Sequence, residues 1–285
     1  MFINCSFITL QNLILILIIS FSYYHSPALA ISNTADIKEI GVDEKLGDTV
    51  DLDTVFINQD GEEVKLASFF NKEKPVVINM LYLSCPRICT FALDGSLEVI
   101  NETTDLKLGE DYEFLSVSFN PEETQTISSE KSERYTGGLK NGTGGPDTGW
   151  TFLTSDSENI NNLTKSIGYN FKKDGEEYAH PSALVVVTPG GKVSRYLYGL
   201  QHNPKDFKLA LIESSDGKIG ESSLANKVLL FCYEFDPVGK KYALKASNIV
   251  KAGGVVTLLA LSGFLAIFWV REKGHINKRD GGFKN

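Results

Sequence analysis

Apolar runs alternating with segments of helical periodicity make this chain an α/β protein: a mixed sheet flanked by helices, followed by a single C-terminal transmembrane helix. Three observations carry that expectation. Val76-Val77-Ile78-Asn79-Met80-Leu81 is nearly continuous in apolar residues, as in a strand buried on both faces. Cys89, Leu93, Leu97 and Ile100 follow at intervals of four, four and three, one face of a helix. Late in the chain, 183–188, the turn Pro189-Gly190-Gly191 and 193–198 read as an antiparallel hairpin, which makes the sheet mixed.

The remaining elements follow in order. Residues 1–30 read as a secretory signal, with an apolar core over 13–21 and the small-residue cleavage pattern Pro27-Ala28-Leu29-Ala30. No Lys or Arg precedes that core, so an uncleaved N-terminal anchor is the competing reading. A polar leader spans 31–48 and the α/β domain 49–215. Within it, 53–66 forms a hairpin around Asn58-Gln59-Asp60-Gly61, and 75–83 is the buried strand. Residues 112–119 are a strand ending at Asn120-Pro121, 122–135 a polar helix, 158–167 a helix and 204–213 the closing helix. The glycine-rich stretch 137–149 lacks the Gly-Lys-Ser/Thr ending of a phosphate loop and reads as a flexible connection. An extension over 216–250 leads to the membrane segment.

The charge-free run 252–270 spans about 28 Å as a helix, close to a hydrocarbon core, and predicts a transmembrane helix over 251–271. The tail 272–285 follows; from Arg271 onward five basic residues face two acidic ones, which places the tail in the cytoplasm. The expected location is the bacterial inner membrane, with the globular domain on its periplasmic side. Without those tail charges the net charge falls from −8 to −11, which argues against nucleic acid and anionic lipid as partners.

Cys5 and His25 leave with the signal and His275 lies in the tail. The exported part keeps Cys85, Cys89 and Cys232, with His180 and His202. Cys85-Pro86-Arg87-Ile88-Cys89 stands where the buried strand gives way to a helix, and a helix N-terminus stabilises a thiolate. One helical turn separates the two sulfurs, so they can share a soft metal ion or close a disulfide. This is a thioredoxin-type placement, but with three intervening residues rather than two. Two thiolates suit Cu(I), and one imidazole would make the site trigonal. His180, in the loop before the strand 183–187, is the best third donor. His202 reads as a surface loop residue, and Cys232, inside Val228-Leu229-Leu230-Phe231-Cys232, as a small buried apolar one.

The chain resembles the Sco/SenC family of membrane-anchored, thioredoxin-like copper proteins. The resemblance lies in Phe56-Ile57-Asn58-Gln59-Asp60-Gly61, Tyr82-Leu83-Ser84-Cys85-Pro86-Arg87-Ile88-Cys89, Val117-Ser118-Phe119-Asn120-Pro121, residues 149–154, 180–191 and 195–199, and Cys232-Tyr233-Glu234-Phe235-Asp236-Pro237. It implies a copper chaperone that delivers copper to the dinuclear copper site of cytochrome c oxidase subunit II, or matures that site. Copper would be held by Cys85, Cys89 and His180, with Cu(I) favoured and Cu(II) also compatible with the donors. The implied partners are subunit II, a periplasmic copper donor or thiol reductant, and the inner membrane. Two departures stand out: Asn120-Pro121 replaces the usual Asp-Pro, and Pro181 invites comparison with the cis-proline of thioredoxin-like folds. The alternative is a thiol–disulfide reductase in which Cys85 attacks and Cys89 resolves. A peroxidase of the peroxiredoxin type fits poorly, because Tyr82 stands where a Thr is expected.

Overall fold

In the computed structural model, residues 40–70, 73–85, 88–140, 148–175, 177–216 and 223–280 are described. The signal expected over 1–30 lies outside them, as do Pro86, Arg87 and most of the glycine-rich connection. After a short β1 (Gly41–Val42), β2 (Val55–Ile57) and β3 (Glu63–Lys65) pair as the expected hairpin, with Phe56 opposite Val64. The strand β4 (Val76–Leu81) leads to α1 (Ile88–Glu102), and β5 (Glu113–Ser118) to α2 (Gln125–Thr136). Next come β6 (Trp150–Leu153), α3 (Ser157–Ser166), β7 (Tyr169–Asn170), and the pair β8 (Lys172–Asp174) and β9 (Glu177–Ala179). The hairpin β10 (Ala183–Val187) and β11 (Val193–Tyr198) is closed by α4 (Pro204–Ser214). The chain continues through α5 (Ser223–Cys232), a second hairpin of β12 (Tyr233–Asp236) and β13 (Lys241–Leu244), and α6 (Ala246–Asp280).

The central sheet is mixed, in the order β11-β10-β4-β5-β6. β4, β5 and β6 run parallel, and β10 is antiparallel to β4. Every residue of β4, β5 and β10 is buried, as apolar runs covered on both faces require. Aromatic side chains fill much of the core; Trp150, Tyr112, Tyr135, Phe114, Phe119 and Phe207 are among those fully enclosed. Most buried polar groups among the described residues are paired, the Tyr112 hydroxyl being an exception: the Trp150 indole N–H donates to Ser116 Oγ at 2.9 Å, and Asn79 Nδ2 to Ser96 Oγ at 3.2 Å. Gly95 is needed for close approach, since a Cβ there would lie 1.9 Å from the carbonyl oxygen of Leu200. The helix that begins beside the cysteines is thereby seated directly on the turn that carries His202.

Several elements were not evident from the sequence, among them the short strands β1 and β7 to β9. The edge strand β6 has only four residues after a glycine-rich stretch, too few for alternation to declare itself. The described part of the extension, 223–250, is also structured. Tyr242 of β13 is buried with its hydroxyl on the Glu213 carboxylate, and the Arg195 guanidinium lies 5.1 Å from the Phe235 ring centroid. Arg195 Nε in turn donates to Glu213 at 2.9 Å, so the β12–β13 hairpin is fastened to β11 and α4. The segment Ala246–Trp269 of α6 is long and apolar enough to cross a membrane, and none of it is buried against the protein.

Candidate functional site

Strand register brings the site together. Leu184 of β10 pairs with Asn79 of β4, antiparallel. Continuing that register past the end of β4 sets position 180 abreast of position 83. On the other flank Leu81 pairs with Ser118 in parallel, so the segment after β5 runs beside Tyr82 and Leu83. The C-terminal end of the parallel strands therefore presents the cysteine loop between the His180 loop and the Asn120–Thr124 turn.

Cys85 and Cys89 are both buried, at 5% and 1% exposure, and both carry thiols rather than a disulfide. Cys89 lies in the first turn of α1 and Cys85 precedes the helix. The Cys85 thiol hydrogen-bonds the thiol of Cys89 and the hydroxyl of Tyr82. Cys89 Sγ stands 3.6 Å from His180 Nε2. His180 Nδ1 donates to the Pro181 carbonyl at 2.8 Å, which fixes the tautomer and leaves the Nε2 lone pair facing the sulfur. Burial lowers the His180 pKa from its ordinary value, only partly opposed by the Pro181 carbonyl, so the ring stays neutral.

The sequence predicts a thiolate stabilised by the helix N-terminus; the burial of Cys89 works against that charge. Burial pushes its thiol well above the ordinary range, the neighbouring Cys85 adds to this, and the Tyr82 backbone N–H only partly offsets it. The expected comparison of Pro181 with a cis-proline is not met either: among the described residues every peptide bond is trans. His202 does lie in a loop, but it is partly buried, and that burial lowers its pKa to about 4. Cys232 ends α5 and is half-buried rather than fully enclosed.

Several residues that sequence reasoning missed complete the setting. Tyr169, fully enclosed, places its hydroxyl 3.1 Å from His180 Nδ1, 3.1 Å from the Met80 carbonyl and in hydrogen-bond contact with the Pro181 carbonyl. Tyr82 and Phe119 pack their rings 6.1 and 5.0 Å from the imidazole. Glu123 holds the cysteine loop from the other side. Its carboxylate accepts from the backbone N–H groups of Leu83 and Ser84 at 2.7 and 2.6 Å, and from the hydroxyls of Ser84 and Ser118 at 2.5 and 2.6 Å. Loss of a carboxylate at Asn120 is thus accompanied by one three residues later, while Asn120 Oδ1 accepts from the Tyr178 hydroxyl at 3.1 Å. A lone Glu in a polar helical segment gives no sequence signal for such a role.

A bond of about 2.3 Å to sulfur and about 2.0 Å to imidazole, at a trigonal angle, separates two donors by about 3.7 Å. The Cys89–His180 spacing of 3.6 Å fits such an ion. Among the described residues no three His, Cys, Asp or Glu side chains already form a metal-holding group. A three-donor site therefore needs Cys85 to exchange its hydrogen bonds with Tyr82 and Cys89 for a metal bond.

A dithiol after the central parallel strand, faced by a neutral imidazole from the loop before an antiparallel neighbour, defines a thioredoxin-like dithiol–histidine protein. The family model described as SCO1/SenC matches residues 43–213. The chain belongs to the SCO1/SenC family. Among solved structures it is similar to a protein of Aquifex aeolicus VF5 provisionally assigned to electron transfer, at 25% identity and a TM-score of 0.52, covering 59% of this chain and 94% of that one. Arabidopsis thaliana ScoI with copper bound matches at 18% identity and a TM-score of 0.46, covering 59% and 97%. BsSco, described as a member of the Sco family of cytochrome c oxidase assembly proteins, matches at 22% and 0.48, covering 62% and 99%. No curated protein matches the chain.

Proposed function

We propose that this chain is a membrane-anchored copper chaperone of cytochrome c oxidase assembly, holding one copper ion as cargo through Cys85, Cys89 and His180. The observation that carries this reading is the His180 Nε2 lone pair, oriented by the Pro181 carbonyl and 3.6 Å from Cys89 Sγ. Simple dithiol exchange has no use for an imidazole held in that tautomer. Two soft sulfurs and one nitrogen in a largely dry, aromatic-walled site suit Cu(I), and the same donors accommodate Cu(II). Both thiols give up a proton when copper enters, so affinity rises with pH. The receiving partner is the dinuclear copper site of subunit II, whose thiolates would displace His180 first, since thiolate holds Cu(I) more strongly than imidazole. A periplasmic copper donor or thiol reductant would load or reopen the pair.

Membrane anchoring through the apolar segment of α6, with the domain on the periplasmic side, belongs to the same reading; it is supported by a 24-residue helical segment that contains an 18-residue stretch of mean hydropathy 2.0 with no burial inside the protein. A second reading, thiol–disulfide reductase, is favoured by the direct contact of the two thiols. Anaerobic Cu(I) titration of the reduced full chain against a competing chelator separates the two. One tightly bound Cu(I), weakened at least tenfold by His180→Ala, is expected. Binding indifferent to His180 overturns the three-donor site and leaves Cys85 and Cys89 as a redox pair.

A further inference from the structure

The face of α5 and β13 next to the first turn of α6 is apolar and turned outward. Leu229 and Leu230 of α5 pack toward the core, yet Val228 and Phe231, three residues apart and hence on one helical face, are 61% and 47% exposed. Leu244 at the end of β13 and Ile249 in the first turn of α6 are 57% and 44% exposed. These side chains belong to elements tied together by hydrogen bonds. Asn248 Nδ2 donates to the Phe231 carbonyl at 2.7 Å, and Lys245 N to the Cys232 carbonyl at 2.8 Å. The last carbonyls of α5 are thus capped by the start of α6, and the two helix ends share one level.

That level can be placed against a bilayer. Asn248 precedes the charge-free run, which begins at Ala252, by four residues or about 6 Å of helix rise. The headgroup layer on each side of the hydrocarbon is about 5–7 Å thick. With 252–270 in the hydrocarbon, Asn248 and the Phe231 carbonyl bonded to it lie within the headgroup layer. We infer that Val228, Phe231, Leu244 and Ile249 form an interfacial patch that rests on the outer boundary of a zwitterionic lipid bilayer, continuous with the membrane-spanning helix. Because the β12–β13 hairpin is fastened to the sheet through Arg195, Glu213 and Tyr242, this contact sets the attitude of the whole domain to the membrane. Tethering on a loose linker would not. The inference rests on the reading of α6 as a membrane anchor.

The test uses the full chain in phosphatidylcholine vesicles containing lipid brominated near the headgroup end of the acyl chains. Trp269, at the far end of the apolar segment, reports the anchor itself. Phe231→Trp and, as a second variant, Val228→Trp report the patch, and Glu130→Trp on the exposed side of α2 is the solvent reference. The added emission from positions 231 and 228 is expected to be quenched at least twofold, and that from position 130 not at all. Quenching of Trp269 without quenching at 231 and 228 overturns the patch and leaves the anchor intact. Loss of quenching at Trp269 as well overturns both. A blue shift at 231 that grows with protein-to-lipid ratio, without quenching, overturns the lipid contact in favour of a second copy of the chain.

Discussion

Replacing Glu123 by Gln should loosen the cysteine loop without touching either sulfur. Each carboxylate oxygen accepts two hydrogen bonds, Oε1 from the Ser84 N–H and hydroxyl and Oε2 from the Leu83 N–H and the Ser118 hydroxyl. An amide keeps one oxygen and turns an NH2 group toward two donors, so two charge-assisted bonds are lost and at least one backbone N–H faces another donor. At about 1.5 kcal/mol per bond, the low end of the range because Ser84 is exposed, the loss is about 3 kcal/mol. In a domain of this size that lowers Tm by about 6–12 °C. Thermal unfolding of the reduced, copper-loaded and copper-free protein reads the stability, and iodoacetamide alkylation of Cys85 reads the loop, which should open more often and react faster. Glu122→Gln is the control: its carboxylate meets the exposed Lys173 at 3.2 Å, a surface pair whose loss changes stability by less than about 1 kcal/mol. A Glu123→Gln protein that melts and alkylates like Glu122→Gln refutes the reasoning.

Removing the Tyr169 hydroxyl (Tyr169→Phe) takes away a contact to His180 Nδ1 and to the Pro181 carbonyl, and should weaken Cu(I) about tenfold in chelator competition while the fold, read by circular dichroism, stays intact. Gly95→Ala places a methyl 1.9 Å from the Leu200 carbonyl oxygen and should cost about 1–3 kcal/mol in urea unfolding; an unchanged midpoint would mean that the helix shifts freely. His202 is neutral when folded, with its pKa lowered from 6.5 to about 4 by burial, so the unfolded chain binds the extra proton first. Its contribution is therefore present above pH 6.5 and is lost as pH falls toward 4; His202→Gln should flatten the stability profile across that window, and an unchanged slope contradicts it. Lys74→Met leaves Glu113, paired with it at 2.8 Å, buried without its cation and should destabilise by about 3–5 kcal/mol in the same assay.

Much of the architecture is local and was therefore readable along the chain. The runs 76–81 and 183–187 are apolar throughout because both sheet faces are covered, and the spacing of Cys89, Leu93, Leu97 and Ile100 repeats the turn of α1. The cysteine spacing and His180 stood out because few residue types bind soft metals. Glu123, Tyr169 and the docked hairpin were not readable in this way. Their roles depend on segments that meet across long stretches of chain, as in the pairing of Ser84 with Glu123, 39 positions apart, and of Cys89 with His180, 91 apart.

Sequence alone determined most of the larger elements, the candidate donor residues and the apolar segment of α6, since periodicity and side-chain chemistry are properties of neighbours. Only the tertiary structure decided that Nε2 of His180 faces Cys89, through the Leu184–Asn79 register and the Pro181 carbonyl. It also decided that the Cys89 thiol is raised rather than lowered. A helix N-terminus acts within one turn, whereas desolvation is imposed by every element packed around the sulfur and is the largest cause of the raised Cys89 thiol.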